Sequence, residues 1–368
     1  MFENYKLRNY NFKLVVLVII LCAIGIVVIN SADSSYFSKQ VFGVAICMVG
    51  MLVLSLIDYR FICKFYIALY AANILMLTAI LAFGAEVNGA KRWFRVSKTM
   101  TIQPSEFTKF LMIICLAVLL VKFKEKLNTP YALAIIAAYC AFPLLLILIQ
   151  PDLSTTIDIF AIMFTMIFVA GLSYKILGVA TLILIPVIGS FIWYIQTPGQ
   201  KLLNDYQLGR IMAFLYPQDY AAQTYQQDNS VMAIGSGMLT GKGLSSGTIA
   251  TVKDANFISE QQTDFIFSVV GEEMGFVGCI FIIALIALVV FECISVARKA
   301  RDKEGMLIAS GVAAWMGFQS FINIAVATGL IPNTGIPLPF ISYGLSSLVS
   351  SCAGIGLVLN VSLQRKRL

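Results

Sequence analysis

The side chains best placed to do chemistry are charged groups that interrupt or flank long apolar runs. Glu106 and Lys109 lie in Gln103-Pro104-Ser105-Glu106-Phe107-Thr108-Lys109, and a spacing of three sets them on one side of a helix. Just ahead, Lys91, Arg92, Arg95 and Lys98 gather around Trp93 and Phe94. Ionisable groups at membrane depth are costly and point to function. Two readings apply. The cations can snorkel beside an aromatic belt, with Glu106 and Lys109 neutralising each other. Alternatively, the excess of positive charge receives an anionic headgroup such as a pyrophosphate, and that charge excess favours the second reading.

Further carboxylates follow the same pattern. Asp152, in Gln150-Pro151-Asp152-Leu153-Ser154-Thr155, either caps a helix or joins the site. Asp158 lies deeper in the same run and carries no assigned role. Asp264, in Gln261-Gln262-Thr263-Asp264-Phe265-Ile266-Phe267, stands where a long polar segment meets an apolar run. It can satisfy free N–H groups at a helix start, or it can act as a general base at the membrane boundary. Glu272 and Glu273 are expected to face a protein interior rather than lipid. The segment Gly235-Ser236-Gly237-Met238-Leu239-Thr240-Gly241-Lys242-Gly243 imitates a phosphate loop, but its spacing is wrong and no Ser or Thr follows the lysine. Its glycines are expected to allow a tight backbone path near a ligand. Three prolines and three glycines between Gly329 and Gly344 predict a non-helical path, tolerated at this depth only when buried in protein or lining a cavity.

Composition dictates what must position these groups. Of 368 residues, 59% are hydrophobic and 12% charged, about half the charged fraction of a soluble domain. There is no histidine, so proton transfer falls to other groups, Asp or Glu first among them. The eight cysteines lie in or beside apolar runs without a C-x-x-C pair, and read as small core residues. The net charge of +7 is a topology signal rather than a nucleic-acid footprint. About 20 apolar residues cross a bilayer, which predicts spans at 14–30, 41–57, 66–84, 107–121, 131–149, 153–171, 174–195, 265–291, 306–328 and 341–362. The expectation is an all-α polytopic membrane protein, one integral domain over residues 1–368, whose first span is an uncleaved anchor. Both termini are expected in the cytoplasm, an arrangement that puts 16 Lys and Arg inside and nine outside. The 68-residue stretch 196–263 is then a large extracellular loop, expected to be largely ordered, and function belongs on the outer face.

Asn88-Gly89-Ala90-Lys91-Arg92-Trp93, the Gln103-to-Lys109 stretch, QPDLST at 150–155, QTDFIF at 262–267 and TGIPLPFISYG at 334–344 occur in register along the chain. In these residues the sequence resembles the SEDS family, the ten-span bacterial proteins that include RodA, FtsW and SpoVE. The glycine-rich stretch, with Gly247-Thr248 after it and Gln261-Gln262-Thr263-Asp264-Phe265 beyond, looks more like the RodA branch than FtsW. The sequence departs from the family at Gln262, where His is common, and at Leu345, where a second Gly is usual.

The resemblance implies a peptidoglycan glycosyltransferase of the bacterial cell membrane that polymerises lipid II, releases undecaprenyl pyrophosphate and works with a class B penicillin-binding protein in cell elongation. Asp264 matches the family's catalytic Asp. On this reading Asp264 is the base for the acceptor hydroxyl in an inverting displacement. Lys91, Arg92 and Lys109 hold the pyrophosphate, Glu106 positions Lys109, and Asp152 belongs to the substrate site. A divalent cation, Mg or Mn, could assist the leaving group, although the sequence shows no dedicated metal site. The rival reading is a lipid II flippase, for which Glu106, Lys109, Asp158 and Glu272 would form a polar path. A division or sporulation polymerase, or a scaffold that only recruits the penicillin-binding protein, are further alternatives.

Overall fold

The computed structural model describes residues 7–87, 90–97, 100–197, 199–200, 202–203, 205–244 and 261–364. Asn88, Gly89, Lys98 and Gly247-Thr248, all named above, lie outside them. Among the described residues ten helices are long and apolar enough to cross a bilayer. They are α1 (Phe12–Ala32), α2 (Phe37–Leu56), α4 (Tyr66–Phe83), α5 (Pro104–Lys122), α6 (Pro130–Ile149), α7 (Leu153–Gly171), α8 (Tyr174–Ile195), α11 (Ile266–Arg298), α12 (Lys303–Ala327) and α13 (Leu345–Leu363). Each coincides with one of the runs read from the sequence. Three shorter α-helices lie between them: α3 (Tyr59–Lys64), α9 (Asp205–Leu215) and α10 (Ala221–Ser236).

Local sequence sets the helix starts. Pro130 and Pro104 open α6 and α5 at the first turn, where a missing N–H costs nothing. Asp152 and Asp302 cap α7 and α12 by accepting from the Thr155 and Gly305 N–H groups. Most of α5 and α13 is buried, and these helices form the centre of the bundle. By contrast α8 buries only Ile195 and turns side chains such as Leu182, Ile185 and Trp193 outward. All eight cysteines are buried and unpaired. Because the spans alternate in direction, the links after α1, α4, α6, α8 and α12 all emerge at one end of the bundle.

Two features at that end go beyond the sequence reading. The cation cluster is a three-stranded antiparallel sheet, β1 (Ala85–Val87), β2 (Ala90–Ser97) and β3 (Met100–Ile102), in the order β1-β2-β3. Its strands are too short to register against ten helical runs, yet the alternation of β2 is consequential. Lys91, Trp93 and Arg95 point to one side, Arg92 and Phe94 to the other.

The second concerns the glycine-rich segment, whose tight backbone path runs against the backbone of α11. Lys242 and Gly243 donate their N–H groups to the Glu272 and Glu273 carbonyls at 2.9 and 3.0 Å, and Phe276 donates to the Met238 carbonyl at 2.9 Å. These bonds satisfy groups that α11 leaves open where it breaks at Gly275, which has φ 65° and ψ −164°. A Cβ on Gly275 would press into the Gly241 N and the Leu239 carbonyl. Glu272, buried as expected, pairs with Lys242 at 2.7 Å, and Glu273 accepts from Ser31.

Gly275→Ala should therefore lower stability by about 2 kcal/mol or more, read as a drop in the thermal unfolding temperature of the purified protein. Gly50→Ala, in α2 with open space around it, should leave that temperature unchanged or raise it slightly.

Candidate active site

Three polar groupings meet the non-helical segment 329–344, which returns from α12 to α13. The first surrounds Arg92. Its guanidinium donates to the carbonyls of Gln150 and Pro151 and lies 3.8 Å from the Asp152 carboxylate. Gln103, just before α5, donates to Asp152 at 3.2 Å, and its own N–H donates to Ser346 Oγ at 3.1 Å. Asp152 thus caps α7 and also ties the sheet to the link between α6 and α7. Two residues on, Ser154 donates to the Thr334 carbonyl. Lys91, on the other face of β2, is exposed.

The second grouping is inside the bundle. Lys109 is fully buried; its ammonium lies 2.8 Å from Glu106 and 3.5 Å from Asp158, both also buried. It donates to Gln319 Oε1 at 2.7 Å and sits over the Trp315 ring. Trp315 donates to the same Gln319 oxygen at 2.6 Å, and Gln319 passes its own N–H on to the Pro337 carbonyl at 2.8 Å. The structure therefore surrounds Lys109 with protein partners from α5, α7 and α12. Asp158, left without a role by the sequence, is one of those partners.

The third grouping holds Asp264, half-buried ahead of α11. Asn323 donates through one amide nitrogen to the Asp264 carbonyl at 2.8 Å and to the Ile336 carbonyl at 2.7 Å. Ser342 donates to the Thr263 carbonyl at 2.6 Å, and the Tyr343 N–H donates to the Gln262 carbonyl at 2.9 Å. Gln262 thus meets the return segment through its backbone. Tyr343 packs on Tyr36 with the rings tilted 53° to each other and their centroids 4.5 Å apart.

Gly335, with φ +74°, lies under the Asp264 carboxylate. A Cβ there would sit 3.3 Å from Asp264 Oδ2 and 3.6 Å from Arg210 Nη1 of α9. Sequence reasoning missed Arg210, one of four cations scattered through a 68-residue stretch. It also missed Gln319 and Asn323, although two amides one turn apart on an apolar helix are a signal of the kind that Glu106 and Lys109 gave.

Of the residues expected to form one site, the structure joins Arg92 with Asp152 and Glu106 with Lys109, and leaves Lys91 on the outer face of the sheet. Asp264 connects to these pairs through the return segment: Thr334 is bonded to α7, Gly335 lies against Asp264, and Pro337 is bonded to the Lys109 network. Among the described residues no group of three or more Asp, Glu or Cys side chains gathers in a way that could hold a metal ion.

Removing Lys109 strands two buried carboxylates, whereas removing the charge of Glu106 leaves Lys109 paired with Asp158. Lys109→Met should cost about 3–5 kcal/mol and lower the unfolding temperature more than Glu106→Gln does. The opposite order would show that the ammonium is not the centre of the network.

Comparison with known proteins gives a consistent set of relatives. The profile of the FtsW/RodA/SpoVE cell cycle protein family matches residues 9–367. A Bacillus subtilis protein named probable peptidoglycan glycosyltransferase FtsW is 31% identical across 97% of this chain and 91% of its own length. The Escherichia coli peptidoglycan glycosyltransferase MrdB is 35% identical across 82% of this chain and 78% of its own. Among solved structures, a chain described under polymerization and crosslinking by a peptidoglycan synthase complex superposes with a TM-score of 0.81 at 28% identity, covering 97% of this chain and 98% of that one. The rod shape determining protein RodA of Thermus thermophilus superposes with a TM-score of 0.70 at 28% identity, over the same shares of the two chains.

Proposed function

The chain belongs to the SEDS family of FtsW, RodA and SpoVE proteins, and from that premise we infer that it is a peptidoglycan glycosyltransferase, a multi-pass membrane enzyme that joins lipid-linked sugars into glycan strands. The observation that carries the chemical reading is Asp264, a carboxylate fixed through its own backbone carbonyl by Asn323 and held over a residue with no side chain. Fixing the backbone on both sides of the carboxylate is the preorganisation a general base requires.

In the proposed step the acceptor sugar's hydroxyl gives its proton to Asp264 while its oxygen bonds to the anomeric carbon of lipid II. The carbon–oxygen bond to the diphosphate breaks, its electron pair stays with the leaving oxygen, and undecaprenyl pyrophosphate departs with inversion at the sugar. Lys91 is positioned to attract the headgroup. Arg92 and Asp152 hold the sheet against the link between α6 and α7. Glu106 and Lys109 act at one remove, as positioning residues working through Gln319 and Pro337.

The distribution of Lys and Arg supports cytoplasmic termini and an outward-facing active end. The likeness to a chain of a peptidoglycan synthase complex supports a class B penicillin-binding protein as partner. Relatives named FtsW and MrdB match this chain to similar extents, so the elongation role rests on the RodA-like pattern of the glycine-rich segment and of Gln261 to Phe265.

Purified protein given labelled lipid II, with and without such a partner, should build glycan chains. Asp264→Asn should lose about 10²–10⁴-fold in rate with its unfolding temperature unchanged. A folded Asp264→Asn protein that polymerises normally would remove the base assignment, and lipid movement without chain formation would return the flippase reading.

A further inference from the structure

A diphosphate leaving group needs a cation close to where its charge grows, and Lys109, Arg92 and Lys242 are each engaged by protein groups. Lys109 is enclosed by Glu106, Asp158 and Gln319. Arg92 is spent on two backbone carbonyls and Asp152. Lys91 faces away from Arg92 on the exposed side of β2. Lys242 pairs with the buried Glu272. Arg210 differs from all four in its position, because its Nη1 and the Asp264 Oδ2 share the space above Gly335.

That position is built. On α10, Gln227 donates to the carbonyls of Val326 and Ile331 at 2.9 and 2.7 Å, and Ser230 donates to Ala327 at 2.8 Å. These bonds dock α10 on the end of α12, and α9 packs against α10 with Gln207, Met212 and Ala213 buried. Arg210 is left half-buried on α9, facing the return segment. A guanidinium offers five N–H donors in a planar fork that matches phosphate oxygens two at a time. It can therefore keep a carboxylate neighbour and still take an anion.

We propose that Arg210 binds the diphosphate of the lipid-linked donor, holding the leaving group beside the base at Asp264. The assignment rests on the glycosyltransferase reading, and it makes α9 part of the active site. Gly335 then serves both partners, since a side chain there would occupy the space in which carboxylate, guanidinium and diphosphate meet.

The test measures binding, separately from turnover. Full-length protein in nanodiscs is titrated with a short-chain polyprenyl diphosphate, and with the polyprenyl alcohol of the same length as the uncharged control. The wild type should prefer the diphosphate. Arg210→Gln should weaken diphosphate binding tenfold or more while leaving the alcohol unchanged, and Arg210→Lys, which keeps the charge but loses the fork, should fall between. Asp264→Asn should bind the diphosphate at least as tightly as the wild type, even though polymerisation is lost. Equal diphosphate affinity in folded Arg210→Gln and wild type would overturn the proposal, as would a wild type that does not distinguish diphosphate from alcohol. Arg210-dependent diphosphate binding by a protein that makes no glycan would leave Arg210 in place and count against the polymerase reading instead.

Discussion

An ammonium ion buried within a membrane protein must be surrounded by acceptors, and Lys109 sets that requirement for the whole bundle. The free-energy cost of burying a charge is several kcal/mol even after relaxation. It is offset only when oxygen atoms arrive from more than one direction. Glu106 comes from the same helix, Asp158 from α7 and Gln319 from α12. Three helices are therefore fixed around one point. The last of these partners turns its amide outward to the Pro337 carbonyl, so the position of the return segment follows from the neutralisation of a lysine deep in the protein.

The return segment has its own constraint. Irregular backbone at membrane depth cannot rely on water, and this one borrows its partners from side chains. Ser154, Gln319 and Asn323 satisfy the carbonyls of Thr334, Pro337 and Ile336, and Ser342 accepts from the Leu338 N–H. The same polar side chains that make the segment stable also give it a single course. That course passes beneath Asp264, and stability and site geometry are thus consequences of one set of bonds.

How much of this was legible in the sequence follows from the length scale of each signal. Spans of about 20 apolar residues are unmistakable, and all ten appear where hydropathy puts them. Paired charges three apart, as at Glu106 and Lys109, announce their own meeting. Partners far apart in sequence leave no such mark: nothing in the chain links Asp158 to Lys109, or Arg210 to Asp264, until α7 and α9 are in place. The glycine-rich segment was legible only in part for a related reason. Glycine signals a close approach without naming what approaches, and here it is the broken backbone of α11. The sheet at Lys91 and Arg92 escaped notice because eight residues of alternation carry little weight beside ten helical runs.

Gln319 and Asn323 are one turn apart on α12, and between them they hold the return segment at two points and the Asp264 backbone at a third. Asp264 and Gly335 are in effect bolted to the same beam. If α12 tilts or slides as a rigid rod, both travel with it, and the clearance between Asp264 and Gly335 stays constant. Helix α9 hangs on the same beam at one remove, through α10, whose Gln227 and Ser230 bond to Val326 and Ala327 within a turn of Asn323. The dimension with an extra joint in it is accordingly the one between guanidinium and carboxylate, where α9 can shift against α10 while Asp264 and Gly335 keep their clearance.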